Sequence, residues 1–145
     1  MLTSDGLGVI GDVLFGDAVA GRFLAALPLD GNPVTDMVLS QVAQGVVGGS
    51  KPYFTGIALY NPGPGDATVT LDVFSEQGDR TGSTTFPLPG RNRISSTLPE
   101  LVPGLTRQER GYIRIHSTSP IVGYELFGDQ QSSFLAPVPP QPINP

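Results

Sequence analysis

The 145-residue sequence predicts an all-β protein, folded as an antiparallel β-sandwich with at most one short helical turn. One reason is the content of 19 glycines and 15 prolines, which form turn sequences such as NPGPGD at residues 61–66. These turns recur roughly every ten residues, the spacing typical of small sandwiches and barrels. Between them, β-branched and aromatic residues alternate with polar ones, as in strands that bury one face.

This alternation assigns an inward and an outward side to each predicted strand. In ATVTLDVFS, residues 67–75, Val69, Leu71 and Val73 share one side. By the same pattern we expect burial of Ile57, Leu59, Val69, Leu71, Val73, Ile113 and Ile115, and exposure of Thr68, Thr70, Asp72 and Arg114. The ten predicted strands are residues 9–16, 22–29, 34–42, 53–61, 67–75, 83–88, 92–97, 111–117, 121–127 and 133–138.

The one helical turn is predicted at residues 99–103, PELVP. Proline fits the first turn of a helix, because the N–H that it lacks is not needed there. Gly104 suits the helix exit, so we expect this turn to bridge the two sheets.

A long-period repeat predicts the domain organisation. GDVLFGD at residues 11–17 returns as GYELFGD at 123–129, and FLAALP at 23–28 returns as FLAPVP at 134–139, while nothing in 34–120 recurs. A repeat this far apart is typical of a tandem array of domains. We therefore expect residues 1–33 to form a closing hairpin equivalent to the end of a preceding unit, 34–139 to form a complete sandwich, and 140–145 to form a proline-rich linker.

The two copies should behave differently, because both cannot occupy one position in the sandwich. We expect the C-terminal copy to keep that position, since a short turn tethers it to the preceding strand. The N-terminal copy should pair antiparallel within itself and cover another part of the unit or an equivalent molecule, because a lone hairpin is marginal in water.

Composition excludes several partners and sites. The net charge is −5 and Lys51 is the only lysine, so a nucleic-acid partner is not expected. No apolar run approaches the ~20 residues of a membrane-spanning helix, and MLTSDGLG has neither the basic nor the apolar region of a signal peptide. The absence of cysteine excludes disulfides, thiolate metal sites and cysteine nucleophiles.

No motif predicts catalysis or a cofactor. GLGVIG at residues 6–11 matches the dinucleotide fingerprint, but that motif must follow a strand and open a helix, whereas strand-like DVLFGD follows here. His116 is the only histidine, and its neighbouring serines are not in a nucleophile elbow. The glutamates are scattered, at positions 76, 100, 109 and 125. We predict no catalytic residues, no cofactor and no enzymatic activity.

Two groups of residues are candidates for binding. Tyr60, Tyr112, Arg114 and His116 share outward parity on two predicted strands, and on adjacent strands they would form a flat platform of the kind that sugars stack on. Simple cover of a sheet face is the alternative. A second group, Asp30, Asn32 and Asp36, offers oxygen atoms for calcium but lacks the EF-hand spacing, and DGNP is ordinary turn chemistry. We therefore predict no metal site.

Three stretches carry a resemblance to a known class of domain: FTGIALYNPGPGDATVTLDVFSEQG, FPLPGRNRISSTLPELVPG and GYIRIHSTSPIVGYELFG. Together they resemble immunoglobulin-like β-sandwich modules repeated in large bacterial secreted or cell-surface proteins, over residues 35–139. The resemblance implies a non-enzymatic structural or adhesion module, located outside the cell or on its surface. It also implies contact with neighbouring repeat units, or with another copy of the chain, through the N-terminal hairpin. The alternative is a carbohydrate-binding module that holds polysaccharide on the tyrosine platform.

Overall fold

A computed structural model describes residues 11–17, 19–28, 32–48, 51–131 and 133–143. Antiparallel strands make up most of this chain, and one four-residue helix is present, which confirms the predicted all-β, sandwich-like class. The elements are β1 (Asp12–Gly16), β2 (Leu24–Pro28), β3 (Val34–Leu39), β4 (Ala43–Val47), β5 (Lys51–Tyr60), β6 (Ala67–Phe74), β7 (Arg80–Leu88), β8 (Arg93–Thr97), α1 (Leu98–Leu101), β9 (Gln108–Glu109), β10 (Tyr112–Asp129), β11 (Leu135–Val138) and β12 (Gln141–Pro142).

The long strand β10 belongs to both layers of a curled sheet. Its first half pairs with β3 and β6, and its second half pairs with β5 and β11. One layer therefore runs β7-β6-β10-β3-β12, and the other runs β8-β5-β10-β11, with β4 also on β5. The register shifts between His116 and Ile121, where β10 changes partners.

The core lies between these layers and contains the residues that alternation predicted. All seven predicted core residues are buried, each with 2% exposure or less. Thr68 and Arg114 are exposed as predicted, but Thr70 and Asp72 are half-buried. The reason is that β6 is flanked on both sides, so Thr70 contacts Thr85 and Asp72 contacts Arg80 across the strands.

The helix α1 closes one side of the core, and it begins one residue before the predicted turn and ends at Leu101, before the last two residues of that turn. Leu98 and Leu101 point into the core, and Pro99 lies in the first turn. Glu100 Oε2 accepts hydrogen bonds from the Thr97 N–H and the Thr97 hydroxyl, both at 2.8 Å. These bonds hold the helix entrance and lower the pKa of Glu100, with the backbone bond as the largest cause.

Four elements differ from the sequence prediction, and one of them is the two-residue strand β9, which pairs with β4 in a stretch where no strand was predicted. The predicted strands 111–117 and 121–127 are one strand, because Pro120 lies in the irregular stretch where β10 changes partners and needs no ladder donor. β4 was not predicted, because Gly45, with φ of 75°, interrupts its alternation. Within the predicted linker, Gln141 and Pro142 pair with β3, and the Ile143 N–H donates to Asp36 O at 3.1 Å.

Candidate functional site

The repeated sequence forms two hairpins with the same register. β1 pairs with β2, and the end of β10 pairs with β11, each within its own copy as predicted. Gly16 lies opposite Leu24 in the first hairpin, and Gly128 lies opposite Leu135 in the second. The pairs that follow also correspond, down to Val13–Leu27 in the first hairpin and Glu125–Val138 in the second, so the two hairpins are equivalent in pairing as well as in sequence.

The glycine and the aspartate of LFGD have definite roles in these hairpins. A Cβ atom on Gly16 would lie 2.7 Å from Phe23 O, and one on Gly128 would lie 2.6 Å from Phe134 O. Such distances are too short for any side chain, so both hairpins require glycine at this position. The motif is thus a hairpin signature in both places where it occurs.

The aspartate that follows organises each turn. Asp17 Oδ1 accepts hydrogen bonds from the N–H groups of Val19 (3.1 Å) and Ala20 (2.9 Å). The bond from Ala20 and the bond from the Arg22 side chain are the main causes that lower the pKa of Asp17 to about 2. In the second hairpin, the carboxylate of Asp129 accepts bonds from the Ser133 N–H and the Ser133 hydroxyl.

The two hairpins lie side by side and point in the same direction. At the tips, Arg22 Nη1 donates to Gln131 O at 3.1 Å. At the bases, the Tyr124 hydroxyl donates to Pro28 O at 2.8 Å. Because tip meets tip and base meets base, β2 runs alongside β11 in the same direction. The N-terminal hairpin therefore covers part of the unit, one of the two outcomes expected for it.

The equivalent positions differ in burial. Leu126 and Leu135 in the second hairpin are half-buried. Their counterparts Leu14 and Leu24 are 63% and 71% exposed. The two hairpins also differ at the edge that faces away from the hairpin partner. At this edge β10 pairs with β5, whereas among the described strands β1 pairs with β2 alone.

Glu125 is the main chemical difference between the hairpins, because its counterpart in β1 is Val13. It lies between Ile57 of β5 and Val138 of β11, with 0% exposure. Neither carboxylate oxygen has a hydrogen-bond partner. Desolvation raises the pKa of Glu125 to about 8, so this carboxyl group is largely protonated at neutral pH.

The structure brings together three of the four residues of the predicted platform. Tyr112, Arg114 and His116 lie on the outer side of the first half of β10, beside β3 and β6. Tyr60 lies in the other layer, opposite Val122 and Arg93. β5 and β10 are neighbours, but only along the second half of β10. Tyr60 is therefore not part of this surface.

The side chains on this outer face contact one another. The Tyr112 ring stacks on Phe74 with centroids 4.9 Å apart and an interplanar angle of 10°, so each ring covers one face of the other. His116 Nδ1 lies 3.0 Å from Asp36 Oδ1, and this hydrogen bond is the main cause that lowers the pKa of Asp36. We call this surface, defined by Asp36, Phe74, Tyr112, Arg114 and His116, the outer polar face.

Sequence reasoning missed an aromatic cleft at the hairpin-tip end of the sandwich. Its volume is about 330 Å³, and Phe134 is its central ring, 5.9 Å from Tyr53 and 5.8 Å from Phe127 between centroids. Val42, Val47 and Arg110 also line it. The pairing of β10 with β5 on one edge and with β11 on the other brings these rings together, so no local sequence pattern predicts the cleft.

The arrangement around His116 does not form a catalytic triad with its neighbour. His116 points outward, whereas Ser117 is buried in the core, where its hydroxyl has no hydrogen-bond partner. In the described chain no group of three His, Cys, Asp or Glu side chains is placed to hold a metal ion. Of the weak calcium candidates, Asp36 pairs with His116, Asn32 is exposed and Asp30 lies outside the described residues.

Two further expectations concern the structural context of the GLGVIG motif and membrane-spanning helices. Gly6 and Gly8 of GLGVIG lie outside the described residues, and the motif is followed by strand β1. Across the described ranges, no helix is long and apolar enough to span a bilayer.

Comparison with known proteins gives matches in structure only. No protein-family model matches the chain, and no curated protein matches it. It is similar to the "Anabaena sensory rhodopsin transducer", with a TM-score of 0.50 and 18% identity, over 63% of this chain and 93% of that chain. It is also similar to the protein in "Crystal Structure of Thermotoga maritima 1070", with a TM-score of 0.61 and 13% identity, over 77% of this chain and 96% of that chain. At these identities the similarity concerns the fold alone.

Proposed function

We propose that this chain is a non-enzymatic structural module of a tandem-repeat protein, in which β1–β2 is the element that contacts a unit of the same kind. The resemblance to repeated modules supports a bacterial secreted or cell-surface protein as its setting. The observation that carries the proposal is the pair of equivalent hairpins, which share register, glycine contact and direction and lie against each other.

The contact between the hairpins has the character of a junction between units. Among the described residues it includes two side-chain bonds to backbone oxygens, from Arg22 to Gln131 O and from Tyr124 to Pro28 O, and β2 lies close to β11 with Ala25 buried. β1–β2 forms a separate two-stranded sheet, so no ladder hydrogen bond joins it to the rest of the described chain. Such a contact can form or break without disrupting the sandwich.

Deletion of residues 1–33 tests this proposal. We expect the remaining chain to fold, with a free energy of unfolding close to that of the full chain, because it keeps all the strands that surround the core. In the full chain, the double variant Arg22→Ala, Tyr124→Phe should release β1–β2, seen as faster amide exchange in residues 12–28 with little change in β6. The control Arg80→Ala removes an exposed ion pair on β7 instead. A deletion variant that fails to fold would show that the hairpin is integral, and the proposed unit boundary would be wrong.

The alternative function is polysaccharide binding by the outer polar face. It is favoured by one observation, namely that Tyr112, Arg114 and His116 lie on one continuous sheet face. Retention on insoluble polysaccharides would test it, and Tyr112→Ala should abolish retention. Tyr60→Ala is the matched control, because Tyr60 lies in the other layer. Equal loss with both variants, or no retention of the wild-type chain, would exclude this site.

A further inference from the structure

The outer edge of β1 is a strand edge without a partner strand in the described chain. In the second hairpin, the equivalent residues of β10, Tyr124 to Gly128, pair with β11 on one edge and with β5 on the other. In the first hairpin, the described ladder joins β1 to β2 alone. The backbone groups on the other edge of β1 therefore face outward, as a template for another strand.

Apolar exposure is concentrated at the same hairpin. Among the described residues, five large apolar side chains are exposed, and four of them belong to β1–β2 and its turn: Val13, Leu14, Val19 and Leu24. The fifth, Val46, lies on β4 and is 54% exposed. Leu14 and Leu24 lie on one face of the hairpin and Val13 lies on the other, so exposed apolar side chains border the free edge of β1 on both faces. Apolar exposure beside a free strand edge is typical of an association surface.

Two other outer strands of the described chain carry residues that oppose strand pairing. β7 has Pro87 and a row of exposed hydroxyls, and β12 has Pro142. Proline blocks an edge because it lacks an N–H donor. β1, with the sequence DVLFG, has neither proline nor lysine. β1 therefore lacks these two protective residue types.

We propose that two copies of the chain associate through β1, with the two β1 strands antiparallel about Leu14 in a four-stranded sheet ordered β2-β1-β1-β2. The proposal rests on the proposed function, in which β1–β2 is the contact element, and it names a second copy as the partner. A strand that pairs antiparallel with its own copy forms a two-fold, self-complementary interface.

The sequence of β1 fits this symmetric pairing. With Leu14 on the two-fold axis, Leu14 faces its own copy and Val13 faces Phe15. Asp12 then faces Gly16, so the two Asp12 carboxylates lie at opposite ends of the strand pair and like charges are not directly opposed. Only five residues pair on each side, so the interface is small, and the dimer should be weak, with a Kd on the order of 10–100 µM.

The absence of cysteine from the chain allows a site-specific test of this geometry. Leu14→Cys should form a disulfide-linked dimer under mild oxidation, because paired positions near a two-fold axis lie within reach of a disulfide. Val46→Cys is the matched control, since Val46 is a similarly exposed apolar residue on another strand. We expect dimer formation to be at least about tenfold faster for Leu14→Cys than for Val46→Cys.

Sedimentation velocity of the full chain, from 5 to 500 µM (roughly the range around the expected Kd), gives an independent readout. The wild-type chain and Val46→Lys should show concentration-dependent dimers, whereas Leu14→Lys should remain monomeric. A monomeric wild-type chain throughout this range, or equal cross-linking at positions 14 and 46, would overturn the proposal. These results do not depend on deletion of residues 1–33, so the proposed function can stand while this inference fails.

Discussion

At the scale of single residues, Glu125 shows how one position can distinguish two hairpins that share their register. A carboxyl group without hydrogen-bond partners is costly in the core, and its charged form is more costly still. The first hairpin has Val13 at this position, so the strand pairing itself does not need an acid. Glu125 therefore makes the stability of the complete unit depend on pH.

The first prediction concerns this pH dependence. The pKa of about 8 in the folded state lies above the ordinary value of 4.5, so between these values the folded chain holds one more proton than the unfolded chain. The contribution of Glu125 to the free energy of unfolding should thus be greatest below pH 4.5. It should fall as the pH rises towards 8. The total loss is on the order of 3–5 kcal/mol.

Urea unfolding at pH 5 and pH 8 measures this loss. Glu125→Gln should remove most of the difference between the two pH values, and Glu125→Leu should also raise the stability at pH 8. Glu109→Gln, at an exposed carboxyl group, is the control and should keep the difference. If Glu125→Gln unfolds with the same pH dependence as the wild-type chain, the buried carboxyl group is not its source.

At the scale of elements, the hairpin is a transferable piece of structure whose turn depends on one glycine. Gly128 approaches Phe134 O so closely that a methyl group has no space. Gly56, in the neighbouring strand β5, has no atom within 3.7 Å of an added Cβ. Two glycines in adjacent strands thus differ in their tolerance of alanine.

The second prediction follows from this contrast. Gly128→Ala should destabilise the unit by about 1–3 kcal/mol, because the backbone at Phe134 must shift to admit the methyl group. Gly56→Ala should change the stability by less than about 0.5 kcal/mol, since the added methyl group makes ordinary contacts. Thermal or urea unfolding of both variants measures the difference, and equal effects would show that the close approach at Gly128 does not constrain the turn.

At the scale of the whole molecule, β10 joins both layers, whereas β1–β2 is outside the common sheet. Because one strand contributes to both sides of the core, loss of β10 from one layer disturbs the other, and the sandwich should unfold as one cooperative unit. In the described chain the first hairpin shares no strand ladder with the sandwich and contacts it through the side-chain bonds of Arg22 and Tyr124, so it should open separately.

The third prediction tests this hierarchy by native-state hydrogen exchange. Amides in β1–β2 should exchange at least about tenfold faster than amides at equivalent positions of β10–β11, although the two hairpins share their register. Val13 and Glu125 form one such pair, and Phe15 and Phe127 form another, because the N–H groups at these positions point to the partner strand within each hairpin. Equal protection of the two hairpins would mean that β1–β2 opens only with the whole molecule.

The comparison between sequence and structure has a physical explanation at each scale. Alternation predicts Val69, Leu71 and Val73 correctly, because the faces of a strand are a local property. It does not predict that β10 continues through Pro120, because partner exchange in the curled sheet removes the need for a ladder donor there.

The candidate sites follow the same rule. Parity places Tyr60 and Tyr112 on outward sides, but only the topology shows that these outward sides belong to different layers. The aromatic cleft and the isolation of Glu125 likewise depend on contacts between distant strands. They could not be predicted from the order of residues along the chain.

The matched register of the hairpins has a consequence for inheritance. In a gene that encodes several such units, the segments for successive hairpins are similar and can recombine with each other. A crossover anywhere between them joins the first part of one hairpin to the second part of another, and the product keeps the same cross-strand pairs, the same glycine and the same turn aspartate. In the proposed tandem array, units could therefore be gained or lost without the creation of a new junction, and every boundary would remain a folded hairpin.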